Sequence, residues 1–380
     1  MARHITVDGL PLAAQYSGCG INRYLVCLLR EIAESSSLPA GMSFQVLVPS
    51  LDDVAGLGLG ADGKVRFLVS PPMRIRQLWK LGVLLPSSDG GSDALFLTHP
   101  NVLLRKRSRV AVTIHDLIPL RMPPNDGTGR GWLSRQACLG SLRRADLIFT
   151  DSEYSKADII PFGKLPSERV VVAYPGYDSE LFNTVRSGPA EEQRVLQRHG
   201  ITPPYLLHVG VIEPRKNLER LVTAYRLLLD RRKRDCPQLV LCGRAEWGYE
   251  SLLRLIEQRG LQDRVVLAGR AFDKDLGILY KASAGYVFPS LYEGFGLPLV
   301  EAMASGVPVA CSNRTSLPEV AGDAALYFNP ESIEEMAAAV ERLVTDSELR
   351  KDLVGRGLAR VKLFMWRECA RKTVAALSEL

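Results

Sequence analysis

Short apolar runs rich in β-branched residues alternate with helix-patterned segments along almost the whole chain, and they do so twice. The first series of strand-like runs covers residues 5–7, 44–48, 94–97, 110–114, 147–150 and 170–172. The second covers 205–209, 238–242, 265–268, 285–288 and 307–310. Between them lie helical patterns at 22–34, 218–231, 249–259 and 298–304. Strands separated by helices pair through crossover connections and so give parallel sheets. The pattern therefore predicts an α/β chain with two Rossmann-like domains, and 380 residues is too long for one ordinary core. The polar stretch at 183–193, with Gly188 and Pro189, reads as the linker. It gives an N-terminal domain at 1–185 and a C-terminal domain at 186–365. The remaining tail reads as helical pieces interrupted near Phe364-Met365-Trp366. Open parallel sheets bind ligands at the carboxyl ends of their strands, so the expected site is a cleft between the two domains.

Composition narrows the class. Hydrophobic residues make up 46% and charged residues 24%, as in soluble globular proteins. The opening MARHITVDGLPLAAQ has no apolar signal core, and no uncharged run approaches bilayer length, so a cytoplasmic location is expected. The seven cysteines (Cys19, Cys27, Cys138, Cys236, Cys242, Cys311 and Cys369) are scattered without a CxxC pair. They fit reduced thiols rather than a disulfide framework or a zinc site. The net charge of +6 is unevenly spread: residues 64–144 hold 14 Lys/Arg against 4 Asp/Glu, a local excess of +10. That excess is either solvated surface or a face toward anionic lipid headgroups or a phosphate-bearing acceptor. Nucleic acid is disfavoured, since few aromatics interleave the basic residues and no binding motif is present.

Two motifs carry chemistry. In HVGVIEPRKNLERL, strand 205–209 runs through Gly210 to Arg215 and Lys216 just before a helix. Arg clamps phosphate oxygens bidentately and Lys adds a point charge, whereas two idle cations at a helix start oppose its dipole. A diphosphate is the expected ligand. In FPSLYEGFGLPLVEAM, Glu293 and Glu301 flank a Gly-Phe-Gly-Leu-Pro turn that opens a helix. Gly294 and Gly296 let backbone N–H groups approach a ligand, and carboxylates accept well from sugar hydroxyls. Glu301 alone could be read as first-turn dipole complementation, and Glu293 alone as a loop charge.

EGFGLPLVEAMASGVPV, with its E-x7-E spacing, resembles the signature of GT-B retaining glycosyltransferases of family 4. HVGVIEPRKNLERL, AGRAFDKDLGILYKASAGYVFPS and PEVAGDAALYFNP fit that family in order and spacing, as do SGCGINRYLVCLL, TIHDLIPL, TDSEYSK and AYPGYDSELF. The likeness runs from about Gly18 to Pro330 and is greatest to the bacterial mannosyltransferase-like branch acting on surface polysaccharides.

The resemblance implies a GT-B fold with an acceptor-binding N-terminal domain, a donor-binding C-terminal domain and a last helix, about 366–380, that packs back on the former. It implies that Glu301 accepts from the ribose diol. Glu293 and the N–H groups of Phe295, Gly296 and Leu297 would hold the transferred sugar. Arg215 and Lys216 would neutralise the leaving diphosphate. Where many relatives carry Arg after the strand's glycine, Val211 follows Gly210 here, which leaves the second cation to Arg215. Gly18 and Gly20 would let helix 22–34 direct its amides at the same diphosphate, although such a pair also suits a plain flexible loop. His115 would lie against the sugar near its anomeric carbon, with Asp116 a turn or orienting residue.

Asp273-Lys274-Asp275 spells DxD but opens a helix, so Asp273 is expected as N-cap and Asp275 as dipole complement. No divalent metal or other cofactor is then expected, the nucleotide sugar being substrate. The implied reaction moves a hexose with retention, most simply mannose from GDP-mannose, to a lipid-linked or polysaccharide hydroxyl. A UDP-hexose or dTDP-deoxysugar donor and a non-catalytic nucleotide-sugar-binding module are the alternatives. Arg74, Arg76 and Lys80 among apolar neighbours suggest either a peripheral membrane contact or a buried helix with a basic outer face.

Overall fold

The structure is a computed structural model that describes residues 3–13, 20–35, 38–58, 63–69, 93–100, 109–122, 130–232 and 236–380. It divides into two compact units, one of Met1–Gly176 with Met365–Leu380 and one of Tyr177–Phe364. The chain leaves the first unit ahead of residue 185 because residues that follow Gly176 belong to the second unit's packing. The Phe182 ring meets Tyr280 edge-on at 5.7 Å, and the Leu181 carbonyl lies against Gly277, where a Cβ would come within 2.7 Å.

The first unit's described strands are β1 (Arg3–Asp8), β2 (Met42–Val48), β3 (Val65–Val69), β4 (Ala94–Leu97), β5 (Arg109–Thr113), β6 (Leu147–Thr150) and β7 (Val170–Val172). They form a parallel sheet in the order β3-β2-β1-β4-β5-β6-β7. Both faces are covered, as parallel sheets require. Ala94 and Phe96 of β4 point to one core and Leu95 and Leu97 to the other. Helix Gly20–Glu34 buries Leu25, Leu28, Leu29 and Ile32, an i, i+3, i+4, i+7 stripe, in the first of these. Helix Trp366–Glu379 joins the same core through Trp366, Cys369, Ala370, Val374 and Leu377. Gly176 permits that docking, since a Cβ there would stand 2.2 Å from the Trp366 amide nitrogen.

The second unit has β8 (Tyr205–Val209), β9 (Gln238–Cys242), β10 (Val265–Gly269), β11 (Gly285–Phe288), β12 (Val309–Ser312) and β13 (Ala325–Phe328) in the order β10-β9-β8-β11-β12-β13. The expected strand at 307–310 starts two residues later. The Val307 amide closes the preceding helix on Ala302, and the ladder opens with the Tyr286 amide on the Pro308 carbonyl. Edge strands β3, VRFLV, and β13, ALYF, are additions to the expected series; three of the five β3 residues are exposed. Strand order reverses between β1 and β4 and between β8 and β11, the doubly wound arrangement in which a crevice opens at the carboxyl edge. Among the described residues, no helix is long and apolar enough to cross a membrane.

Candidate active site

The turn after β8 and the turn after β11 meet at the second unit's switch point. The Leu291 amide donates to the Arg215 carbonyl at 2.9 Å and the Arg215 guanidinium donates to the Tyr292 carbonyl at 2.7 Å, tying the loops together. Glu293 sits between both cations: one carboxylate oxygen is 2.6 Å from Lys216 Nζ and the other 2.9 Å from Arg215 Nη1. Arg215 also grips Glu213 at 2.6 Å, so the four charges balance. Lys216 Nζ lies over the Phe288 ring at 5.1 Å, a further cation contact.

Lys216 and Glu293 are buried, Arg215 and Glu213 partly so, and the members respond differently. Burial opposes the Glu293 carboxylate, yet Arg215, Lys216 and the lysine's hydrogen bond outweigh that and hold its pKa down at about 2. Burial dominates at Lys216, whose pKa is lowered despite Glu293, with Arg215's like charge adding to the effect. The difference follows from the count of neighbours, two cations around one carboxylate. The carboxylate is thus the securely charged member, whereas burial disfavours the Lys216 ammonium.

Gly296 takes φ 102° at the start of helix Leu297–Ala304, a conformation suited to glycine, and a Cβ there would stand 2.9 Å from Leu317. Pro298 is the second helical residue. Glu301 therefore lies past the first turn, which sets aside dipole complementation as its role. It is 3% exposed and accepts from the Tyr280 hydroxyl at 3.2 Å. Phe295 of the intervening turn meets Phe364, the last residue of this unit, edge-on at 5.3 Å. Gly294 is buried, and Leu297 is half-buried.

Several participants carried no local sequence signal. Thr315, at φ 57°, accepts from the Glu293 amide at 3.0 Å, and the Ser316 hydroxyl donates to the carbonyls of Glu293 at 2.9 Å and Phe295 at 3.1 Å. Both follow β12 at the same sheet edge, the one clue available beforehand. His208 donates from Nδ1 to the Val287 carbonyl at 3.0 Å and burial holds its pKa down at about 4, so it is neutral. Gly210 leaves room beside it: a Cβ there would lie 3.3 Å from both His208 and the Lys216 stem. Gly243, after β9, is tighter still, its Cβ position being 1.8 Å from the Gly210 carbonyl oxygen. Gly243→Ala should displace the Gly210 turn, lowering stability by about 1–3 kcal/mol and raising the KM of the donor; an unchanged Tm and KM would refute the contact's importance.

In the first unit His115 follows β5 at the carboxyl edge. Its Nδ1 is 2.7 Å from Asp151, which follows β6, and its Nε2 is 3.2 Å from the Thr98 carbonyl, which follows β4. The Tyr24 ring stands edge-on at 4.9 Å. Burial alone would lower its pKa, but the Asp151 carboxylate and hydrogen bond, then Asp116 and the Thr98 carbonyl, raise it. Asp116 accepts from the Ile118 amide at 2.8 Å and so shapes the turn. Gly20 is the first residue of its helix with open space around it, and Gly18 lies outside the described residues, as do Arg74, Arg76 and Lys80.

The DxD stretch differs in detail from expectation. Its helix begins at Asp273, with Phe272 rather than Asp273 in the cap position. Asp275 pairs with Arg198 at 2.6 Å and approaches His199 at 3.4 Å. Among the described residues no group of three His, Cys, Asp or Glu side chains converges on a point.

Two doubly wound parallel units, the second with charged loops meeting at its switch point, make this a protein of the GT-B fold. Sucrose-phosphate synthase from Thermosynechococcus elongatus superposes with a TM-score of 0.75 at 21% identity, over 99% of this chain and 98% of that one. Anabaena Alr3699/HepE, solved in complex with UDP and glucose, gives 0.73 at 17% identity over 100% of both chains. Residues 190–359 match the family described as Glycosyl transferases group 1. The chain is 33% identical to the O-antigen chain mannosyltransferase B of Escherichia coli over 95% of its own length and 96% of that protein's. It belongs to this glycosyltransferase family and is a hexosyltransferase.

Proposed function

We propose that the protein transfers mannose from GDP-mannose, with retention, to a hydroxyl of a lipid-linked or polysaccharide oligosaccharide. The observation that carries the reading is the Lys216–Glu293–Arg215 cluster, with Lys216 and Glu293 buried, followed along the same turn and helix by the buried Glu301. Its cations suit the diphosphate, Glu293 and the Phe295–Leu297 amides suit the sugar hydroxyls, and Glu301 suits the ribose diol. Mannose is favoured by the likeness to the O-antigen mannosyltransferase. The second unit serves as donor domain and the first as acceptor domain.

In this reaction the anomeric carbon–phosphate oxygen bond breaks as the acceptor oxygen bonds to the anomeric carbon. The electron pair leaves on the diphosphate, which takes up the acceptor's proton. Stabilising that leaving group supplies much of the rate, and Arg215 and Lys216 supply the charge without a divalent ion. EDTA should therefore leave turnover intact. A UDP-hexose donor is the second reading, favoured by the UDP and glucose complex of HepE.

Thermal unfolding with GDP, UDP, dTDP and their mannose, glucose and rhamnose conjugates tests the assignment. A ligand at about 100 times its Kd stabilises by about 2.7 kcal/mol, a shift of several degrees. GDP or GDP-mannose should give it selectively, and Glu301→Ala should weaken binding by roughly ten- to a hundredfold. A selective shift with another nucleotide would replace the donor assignment, and no shift with any would overturn donor binding.

A further inference from the structure

His115 has an acceptor at each ring nitrogen: a carboxylate at 2.7 Å from Nδ1 and a carbonyl at 3.2 Å from Nε2. A neutral imidazole carries one proton and satisfies one such partner, whereas an imidazolium satisfies both. The segment Asp151-Ser152-Glu153-Tyr154-Ser155 grips the residue at two points. Asp151 holds the ring, and the Ser155 hydroxyl donates to the His115 carbonyl at 3.2 Å. Ser152 fixes that segment, capping helix Glu153–Gly163 by accepting from the Ser155 amide at 3.0 Å. The other Asp151 oxygen is buried without a hydrogen-bond partner, leaving the His115 ring as the carboxylate's described hydrogen-bonding neighbour.

From this we infer that Asp151 is a positioning residue that fixes His115 as an imidazolium with both N–H groups committed to the protein. This rests on the reading of His115 as a residue of the reacting site. His115 then offers charge and shape to the substrate but no basic nitrogen, so it does not take the acceptor's proton. That is consistent with a proton leaving on the diphosphate.

The groups facing the ring are Asp151 after β6, Asp116 beside it, the Thr98 carbonyl after β4 and the Tyr24 phenol of helix Gly20–Glu34. Burial pushes the Tyr24 hydroxyl's pKa well up, so it stays neutral, and both acids favour the protonated ring. A base lost on acidification would give an acid limb in the rate; a fixed imidazolium gives an alkaline one.

The test follows the His115 ring by nitrogen NMR across pH, beside kcat and kcat/KM profiles, in the wild type and in Asp151→Asn. In the wild type the ring should stay protonated above the usual histidine range and kcat should fall as it deprotonates. Asp151→Asn should move both transitions to lower pH by the same amount, with donor KM nearly unchanged. A ring neutral at pH 7 in the wild type, or a titration unmoved by Asp151→Asn, overturns the pairing. A moved titration with an unmoved rate profile overturns the proposal through its premise, His115's place in the site. Should Asp151→Asn not fold, the wild-type titration decides alone.

Discussion

Glu293→Gln should destabilise the second unit by about 3–5 kcal/mol, because it strands the buried Lys216 ammonium, while Arg215 keeps Glu213. In a unit of this size that is a fall of roughly 10 °C in Tm. The Coulomb gain with Glu293 offsets the burial of Lys216; without that charge, burial and the repulsion of Arg215 remain. The pH dependence has a definite sign. Glu293 is depressed from an ordinary 4.5 to about 2 in the folded protein. Its contribution is therefore complete above pH 4.5 and is lost as pH falls toward 2. Unfolding curves of the wild type should steepen in that window, and those of Glu293→Gln should lack the component. Adding Lys216→Met to the variant should recover much of the loss, since an apolar chain of similar length replaces a stranded charge. A Tm change under a degree would sink this account.

Lys216→Met alone should do the reverse, sparing stability and removing activity. Glu293 keeps Arg215 at 2.9 Å, and burial already disfavours the ammonium. Negative charge gathers on the leaving diphosphate as the sugar departs, so a preorganised cation there is worth most in the transition state. Losing one such group costs about 10²–10³-fold, and it should appear in kcat as well as kcat/KM. Lys216→Arg should not rescue, for the lysine tip is a point charge set over the Phe288 ring and against Glu293, a place that a planar fork does not reproduce. A kcat/KM within threefold of wild type would refute the role.

Periodicity made the two sheets legible because the alternation of β-branched runs with amphipathic helices is local. The strands bearing the site, β8 and β11, end in the residues the motifs named, and Arg215, Lys216 and Glu293 do converge. What the sequence could not display is which loops meet. Thr315 and Ser316 lie 22 residues or more from Glu293 and hold it through an ordinary hydroxyl chemistry that occurs everywhere in loops. Tyr280 reaches Glu301 from within a run of buried residues, 276–280, that reads as ordinary core, so nothing marks it. Asp151 carries no local mark until β5 and β6 are known to be neighbours. Helix starts suffered from the same cause: Gly296 and Phe272 take cap positions because of backbone angles, not side-chain chemistry.

The first unit is made of two separated pieces of chain, with the whole of the second unit between them. On the ribosome this inverts the usual order, in which the domain made first is finished first. The opening 176 residues emerge early, yet the face carrying Leu25, Leu28 and Ile32 waits for Trp366, Val374 and Leu377 to be synthesised. Until then the nascent chain bears an open apolar surface while the later unit, contiguous from Tyr177 to Phe364, is free to fold. A stop codon just before Trp366 would thus spare the second unit and leave the earlier one a client for chaperones.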